Sequence, residues 1–212
     1  MANIEAFEKL TKHYDQWFEE HSDVYAAELE AIRALLPAFQ SGIEIGVGTG
    51  RFAAPLGIKT GLEPSRKMGR IAQARGIHVV QSKAEAMPLK DLHYDLVLMV
   101  TTICFVDSPL TCLREIHRIL KPGAHVIIGF VDEETPLGRF YLKHQDESRF
   151  YQSARFFSSK KVMTLLKKAG FAHCRAVQTL FGESLEAMLG GIMEGFGVGA
   201  FVAIRCTKEE LG

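Results

Sequence analysis

A chain of 212 residues, 47% of them hydrophobic, fits one domain and can bury a sizeable core without disulfides or metal. Its 25 basic and 25 acidic residues cancel, which argues against the electropositive face a nucleic-acid partner demands. No uncharged apolar run reaches about 18 residues, and Met1-Ala2-Asn3-Ile4-Glu5 lacks the basic and apolar regions of an export signal, so no membrane partner is expected.

Residues 2–36 read as helical. Phe7, Leu10, Tyr14, Trp17 and Phe18 form one stripe, and Tyr25, Leu29, Ile32 and Leu36 a second. Ser22 and Asp23 are cap candidates between them, and Pro37 marks the stop, giving a helical cap over 1–37. From 38 to 131 short apolar runs alternate with helical stretches: Gly42–Gly46, Ile58–Glu63, Ile77–Gln81, Tyr94–Val100 and His125–Val131 read as strands. Ser65 opens a helix ending at Gly76, and Ser108-Pro109 opens one ending near Lys121-Pro122-Gly123. This alternation implies a parallel sheet covered on both faces. Residues 132–157 form a long insertion, uncommon without a function or structure of its own. Residues 158–212 hold a helix from Ser158 to Gly170 and two strands, Phe171–Phe181 and Gly199–Cys206, expected to pair antiparallel at one sheet edge. Ala187–Ile204, interrupted by Glu194 and rich in glycine, reads as a flap or loop leading into a strand. Met87, Met99 and Met188 read as packing.

Cys104, Cys112, Cys174 and Cys206 are widely spaced, with no C-x-x-C pair or Cys/His cluster of zinc spacing. No metal is expected, and a reduced cytoplasmic compartment fits.

The sharpest signal is Glu44-Ile45-Gly46-Val47-Gly48-Thr49-Gly50 at the end of the first strand. Close glycines let the backbone turn tightly and admit a ligand without meeting a Cβ. A following helix would aim free N–H groups at that ligand. Dinucleotide loops place a third glycine three residues after the second; here Arg51 stands there, and Gly50 comes one residue early. Glu44 would attract an ammonium and repel a pyrophosphate. Glu63, ending the second strand at Glu63-Pro64-Ser65, has the position of a carboxylate that binds both ribose hydroxyls.

These motifs resemble the class I S-adenosylmethionine-dependent methyltransferases, the broad group that includes quinone- and biotin-pathway methylases. The resemblance runs from about Tyr14 to Leu120. Glu44–Gly50 resembles the first motif, and Glu63-Pro64-Ser65 the second. Lys83-Ala84-Glu85-Ala86-Met87-Pro88-Leu89 resembles the segment beside the adenine, and Tyr94-Asp95-Leu96-Val97-Leu98 the strand before the active-site loop. The resemblance implies a three-layer, Rossmann-like α/β fold. Its mostly parallel seven-stranded sheet has the antiparallel last strand lying between the fifth and sixth. It implies S-adenosylmethionine as cofactor, held by Glu44, Gly46, Gly48, Gly50, Glu63, Pro64, Ala84, Glu85 and Thr101. The interval from Gly50 to Glu63 is short for the family, implying a clipped helix.

Thr101–Asp107 should face the methyl donor and has no N-P-P-Y-type sequence, which favours a small-molecule acceptor. Tyr14, Trp17, Tyr25, Thr102 and Tyr141 are expected in its pocket, although Trp17 and Tyr25 equally suit a helix core. Candidates for a chemical role are Thr102, Cys104, His21 and His144, set against surface or packing roles for the last three. Arg139, Arg149 and Arg155 share the insertion with acids that offset them, which favours a solvated lid over a nucleic-acid surface. A non-catalytic cofactor-binding module, a nicotinamide oxidoreductase and a nucleic-acid or protein methylase stand as rivals.

Overall fold

The computed structural model describes residues 4–148, 150–182 and 190–209. Arg149, Met188 and the start of the Ala187–Ile204 run lie outside the described residues.

Tyr94–Val100 (β4) is almost wholly apolar because both its faces are covered. Leu96, Leu98 and Val100 join one core cluster, and Val97 and Met99 the other, the period-two alternation of a strand. β1 (Gly42–Ile45), β2 (Thr60–Leu62) and β3 (His78–Val80) lie in parallel on one side of β4, and β5 (Leu120–Val131) lies in parallel on the other. β8 (Phe201–Lys208) runs antiparallel between β5 and β6 (Phe171–Thr179), as expected. Pairing on both sides makes β8 an interior strand, so β6 and β8 are more than an edge hairpin. A two-residue strand, β7 (Met193–Glu194), adds itself to β6 and raises the expected seven strands to eight, in the order β3-β2-β1-β4-β5-β8-β6-β7.

Helices cover both faces. α4 (Pro109–Ile119) and α6 (Ser159–Lys168) bury Leu113, Ile116, Val162 and Leu166 on one face. α2 (Ser22–Leu35) buries Ala31, Ile32 and Leu35 on the other, where α3 (Arg66–Ala74) adds Ala72. α1 (Ile4–Glu20) precedes α2, and the residue between them that caps α2 is His21, not Ser22 or Asp23. Within the insertion, α5 (Pro136–Lys143) starts from Thr135, whose hydroxyl accepts the Gly138 N–H at 3.2 Å.

Two expectations need correction. The helix anticipated after the glycine loop does not form: residues 51–57 are turns, with one helical-type bond from Ala54 N–H to the Gly50 carbonyl. The interval is too short for a helix, because Phe52, Ala53, Leu56 and Ile58 must all reach the core within it. A helix dipole therefore contributes nothing at this loop. The cysteine reading also changes, since Cys174 and Cys206 form a disulfide. They sit on the neighbouring strands β6 and β8, where the register shifts between Ala172 and Arg175, and their Cα atoms lie 4.1 Å apart. Strand pairing erases a sequence separation of 32 residues. Cys104 and Cys112 are free. Among the described residues no group of three potential metal ligands occurs, and no helix is long and apolar enough to cross a membrane.

Candidate functional site

The glycine loop is hooked to the neighbouring strand: the N–H groups of Gly46 and Val47 both donate to the Leu62 carbonyl, at 2.7 and 3.1 Å. Its three glycines serve different ends. A Cβ on Gly46 would fall 2.4 Å from the Thr102 side chain, so this glycine lets the loops after β1 and β4 touch. A Cβ on Gly50 would fall 2.5 Å from Ile77 Cδ1, which makes Gly50 a packing residue. Gly48 has a left-handed φ of +54°, and a Cβ there would meet no protein atom closer than 3.5 Å. Gly46 and Gly48 border the large cavity described below; Gly50 does not.

Glu63 fastens this loop from the end of β2. Its two oxygens accept the N–H groups of Gly48 at 2.9 Å and Ser65 at 2.8 Å. Burial pushes its carboxyl up to about 7, against the pull of those two donors. Each oxygen keeps a second lone pair towards the cavity. Glu44 is buried beneath the loop and does not border the cavity. Burial also raises its carboxyl, opposed by a bond from the Ala53 backbone, and Oε2 has no partner among the described residues.

The loop after β4 begins with Thr101 at φ +46°, a conformation uncommon for a residue with a branched Cβ. Its N–H donates to the Gly129 carbonyl at 2.8 Å, which ties the turn to β5. Thr102 borders the cavity, and its hydroxyl faces the carbonyls of Val100 at 2.9 Å and Gly46 at 3.3 Å. That proton is committed to the backbone, so Thr102 is a poor donor to a ligand. Glu85 accepts the N–H groups of Asp107 at 2.7 Å and Ser108 at 3.3 Å, bracing the far end of the loop. Cys104 does not border the cavity and donates to the Thr101 carbonyl at 3.3 Å. Burial pushes its thiol up to about 12, so it is no nucleophile at neutral pH.

These loops form the floor of a cavity of about 540 Å³. Pro64, Ala84, Glu85 and Thr101 border it, as expected of them. Its roof comes from α1 and the insertion. Tyr14, Trp17, Tyr141 and His144 border it as well, but Tyr25 and His21 do not. Tyr25 turns its hydroxyl to the Arg51 carbonyl, and His21 stacks on Trp17 at 4.7 Å. Both are helix-packing residues. Phe7 and Phe150, whose rings lie 5.5 Å apart, and Phe105, 5.0 Å from Phe7, join α1, the insertion and the β4 loop across one end.

Sequence reasoning missed how α1 is held. Asp15 receives bidentate pairs from Arg51 and Arg75, all at 2.8–2.9 Å. Burial opposes its ionisation, but the two guanidinium groups hold its carboxyl well below the usual range. Glu8 adds bonds from the Ser65 hydroxyl at 2.7 Å and the Lys67 N–H at 3.2 Å. Glu28 was also missed. It is a buried carboxyl on α2 that borders the cavity, and an acid three residues from Tyr25 on the core-facing side of an amphipathic helix was its available signal.

A methyltransferase-domain family model matches residues 43–128, the stretch from β1 into β5. A solved Thermotoga maritima protein, described as an S-adenosylmethionine-dependent methyltransferase and possible histamine N-methyltransferase, is 50% identical. It superposes with a TM-score of 0.93 over 97% of this chain and 99% of its own. An uncharacterized Methanocaldococcus jannaschii protein is 40% identical over 97% of this chain and all of its own length. A malonyl-[acyl-carrier protein] O-methyltransferase of Enterobacter lignolyticus is 30% identical over 86% of this chain and 74% of its own. The chain belongs to the class I S-adenosylmethionine-dependent methyltransferases. S-adenosylmethionine is accordingly the cofactor of this methyltransferase. The floor suits such a molecule, which carries an ammonium, a ribose and no phosphate. Glu63 offers free lone pairs at the cavity edge, Glu44 keeps an unmatched oxygen beneath the loop, and the single lining lysine among the described residues, Lys83, is paired with Asp107 at 3.6 Å.

Proposed function

We propose that this methyltransferase transfers the methyl group of S-adenosylmethionine to a small molecule held in the same cavity. The observation that carries the reading is the cavity itself. Glycine loop, ribose-type carboxylate and an aromatic roof border one space of about 540 Å³, within the range of small-molecule sites. A macromolecular acceptor would need an open groove with an electropositive rim, and the charges of this chain balance. The relatives, one described as a possible histamine N-methyltransferase and one as a malonyl-[acyl-carrier protein] O-methyltransferase, are named for chemically different acceptors, and family membership alone does not choose between them.

In this reading Gly46, Gly48 and Thr101 flank the amino-acid end of the cofactor, with the unmatched Glu44 oxygen buried beneath the loop. Glu63 and Pro64 hold the ribose, and Ala84 and Glu85 border the adenine. Tyr14, Trp17, Thr102 and Tyr141 border the acceptor, and residues 132–157 serve as a lid. The cofactor, when bound, supplies an electrophilic methyl on a sulfonium. The protein's task is to align donor and acceptor and exclude water, since the positive charge disperses as the methyl moves. A cytoplasmic setting belongs to the same proposal, with the Cys174–Cys206 bond as an unusual feature there.

Titration calorimetry with S-adenosylmethionine and NADH tests the cofactor site, and release of S-adenosylhomocysteine across a panel of small acceptors tests the reaction. Tight binding of S-adenosylmethionine and turnover of a small acceptor are expected. Selective binding of NADH, or binding without turnover of any acceptor, defeats the proposal.

A further inference from the structure

Most polar side chains around the cavity are already engaged by the protein. Glu63 and Glu85 hold backbone N–H groups, Thr102 faces two carbonyls, and His144 Nδ1 lies 2.9 Å from the Phe140 carbonyl. Glu28 is different. It is 5% exposed, lies on the buried face of α2 beside Ala27, Ala31 and Ile32, and borders the cavity. No hydrogen bond or ion pair ties its carboxyl to any described residue. The side chains that feel its charge are the phenols of Tyr14, Tyr141 and Tyr151, from α1 and from both parts of the insertion. Trp17 and Phe18 border the same space.

A buried carboxyl without a partner is costly unless a ligand supplies one. Aromatic faces around an acid favour a cation, because ring quadrupoles and the carboxylate attract it together. The other lining charges point the same way. Among the described residues Glu63, Glu85 and Glu147 are lining acids, and the only lining lysine, Lys83, is already paired with Asp107. An anionic acceptor would meet repulsion, and a neutral one would leave Glu28 unmatched.

We propose that Glu28 is the recognition residue for a basic nitrogen, and that the acceptor is an amine anchored as an ammonium between Glu28 and the surrounding aromatic rings, with the methyl group going to another atom that carries a free lone pair. The inference rests on the reading of this cavity as the acceptor site. It adds the chemical class of the acceptor and the residue that selects it.

The experiment is calorimetric titration of the full chain with amines (benzylamine, 2-phenylethylamine and hexylamine), the neutral 2-phenylethanol and the anionic 3-phenylpropanoate. Each is run with and without saturating S-adenosylhomocysteine. The wild-type protein is expected to bind 2-phenylethylamine about tenfold or more tightly than 2-phenylethanol, and to reject the carboxylate. Glu28→Gln is nearly isosteric and is expected to lose that preference, leaving the affinities for 2-phenylethanol and S-adenosylhomocysteine within about twofold. Equal wild-type affinities for amine and alcohol, no binding of any amine, or an intact preference in Glu28→Gln each overturns the proposal. Should S-adenosylhomocysteine fail to bind, the cofactor reading falls, while the cofactor-free amine-to-alcohol ratio still decides the role of Glu28.

Discussion

Replacing Glu28 with glutamine should make the unliganded protein more stable at neutral and alkaline pH, and the size of the gain follows from burial. In the folded chain burial raises the Glu28 carboxyl from 4.5 to about 8. Between those values the folded protein holds a proton that the unfolded chain has released, so stability is fullest below 4.5 and falls as pH rises. At ~1.36 kcal/mol for each tenfold change in proton affinity, Glu28 costs about 3 kcal/mol at pH 7 and about 5 kcal/mol above pH 8. Glutamine keeps the shape and carries no ionisable proton. Urea unfolding of both proteins between pH 4.5 and 9 measures the difference directly, because contributions of Glu44 and Glu63 are common to both and cancel. The advantage of the variant should be smallest near pH 4.5 and grow through the window. A pH-independent difference would refute the reasoning, since it would mean that Glu28 ionises in the folded protein as it does in the unfolded chain. A ligand bearing an ammonium should shrink the difference by stabilising the charged form of the wild type.

Other perturbations address the floor and the roof separately. Glu63→Ala should weaken S-adenosylmethionine binding by about 1.5–3 kcal/mol through lost ribose and backbone anchors, read by calorimetry; unchanged affinity would remove Glu63 from the site. Gly48→Val should nearly abolish that binding, since its φ of +54° disfavours a β-branched residue and the added side chain enters the cavity. Asp15→Ala should cost about 2–4 kcal/mol in urea unfolding by leaving Arg51 and Arg75 without their shared carboxylate; a loss below about 0.5 kcal/mol would show that α1 is held by its aromatic face alone. Cys104→Ser should retain turnover within about threefold, because the thiol is pushed up to about 12 and does not border the cavity. A loss of several hundredfold would restore Cys104 as a catalytic candidate.

Much of the cavity floor was legible in the chain order. Gly46, Gly48, Glu63 and Pro64 lie at the ends of two adjacent parallel strands, and the strand pattern brings them together without help from distant residues. Strand alternation and the Ser65 cap are local signals too, and both hold. The helix after the glycine loop misled because the loop motif normally precedes one, whereas the apolar demand of Phe52, Leu56 and Ile58 on a short interval took precedence. Tyr25 on α2 and His21 at the junction before it carried the right chemistry for a pocket but turn elsewhere, a matter of how α1 and α2 are docked.

By itself the sequence determined the α/β layering and the shape of the glycine-rich turn, because periodicity, glycine placement and a carboxylate at a strand end act over a few residues. Tertiary structure alone decided that Cys174 meets Cys206, that Arg51 and Arg75 grip α1 through Asp15, and that Glu28 opens onto the cavity. Each of these depends on which distant surfaces are brought together by burying apolar area, a choice made by the whole core at once.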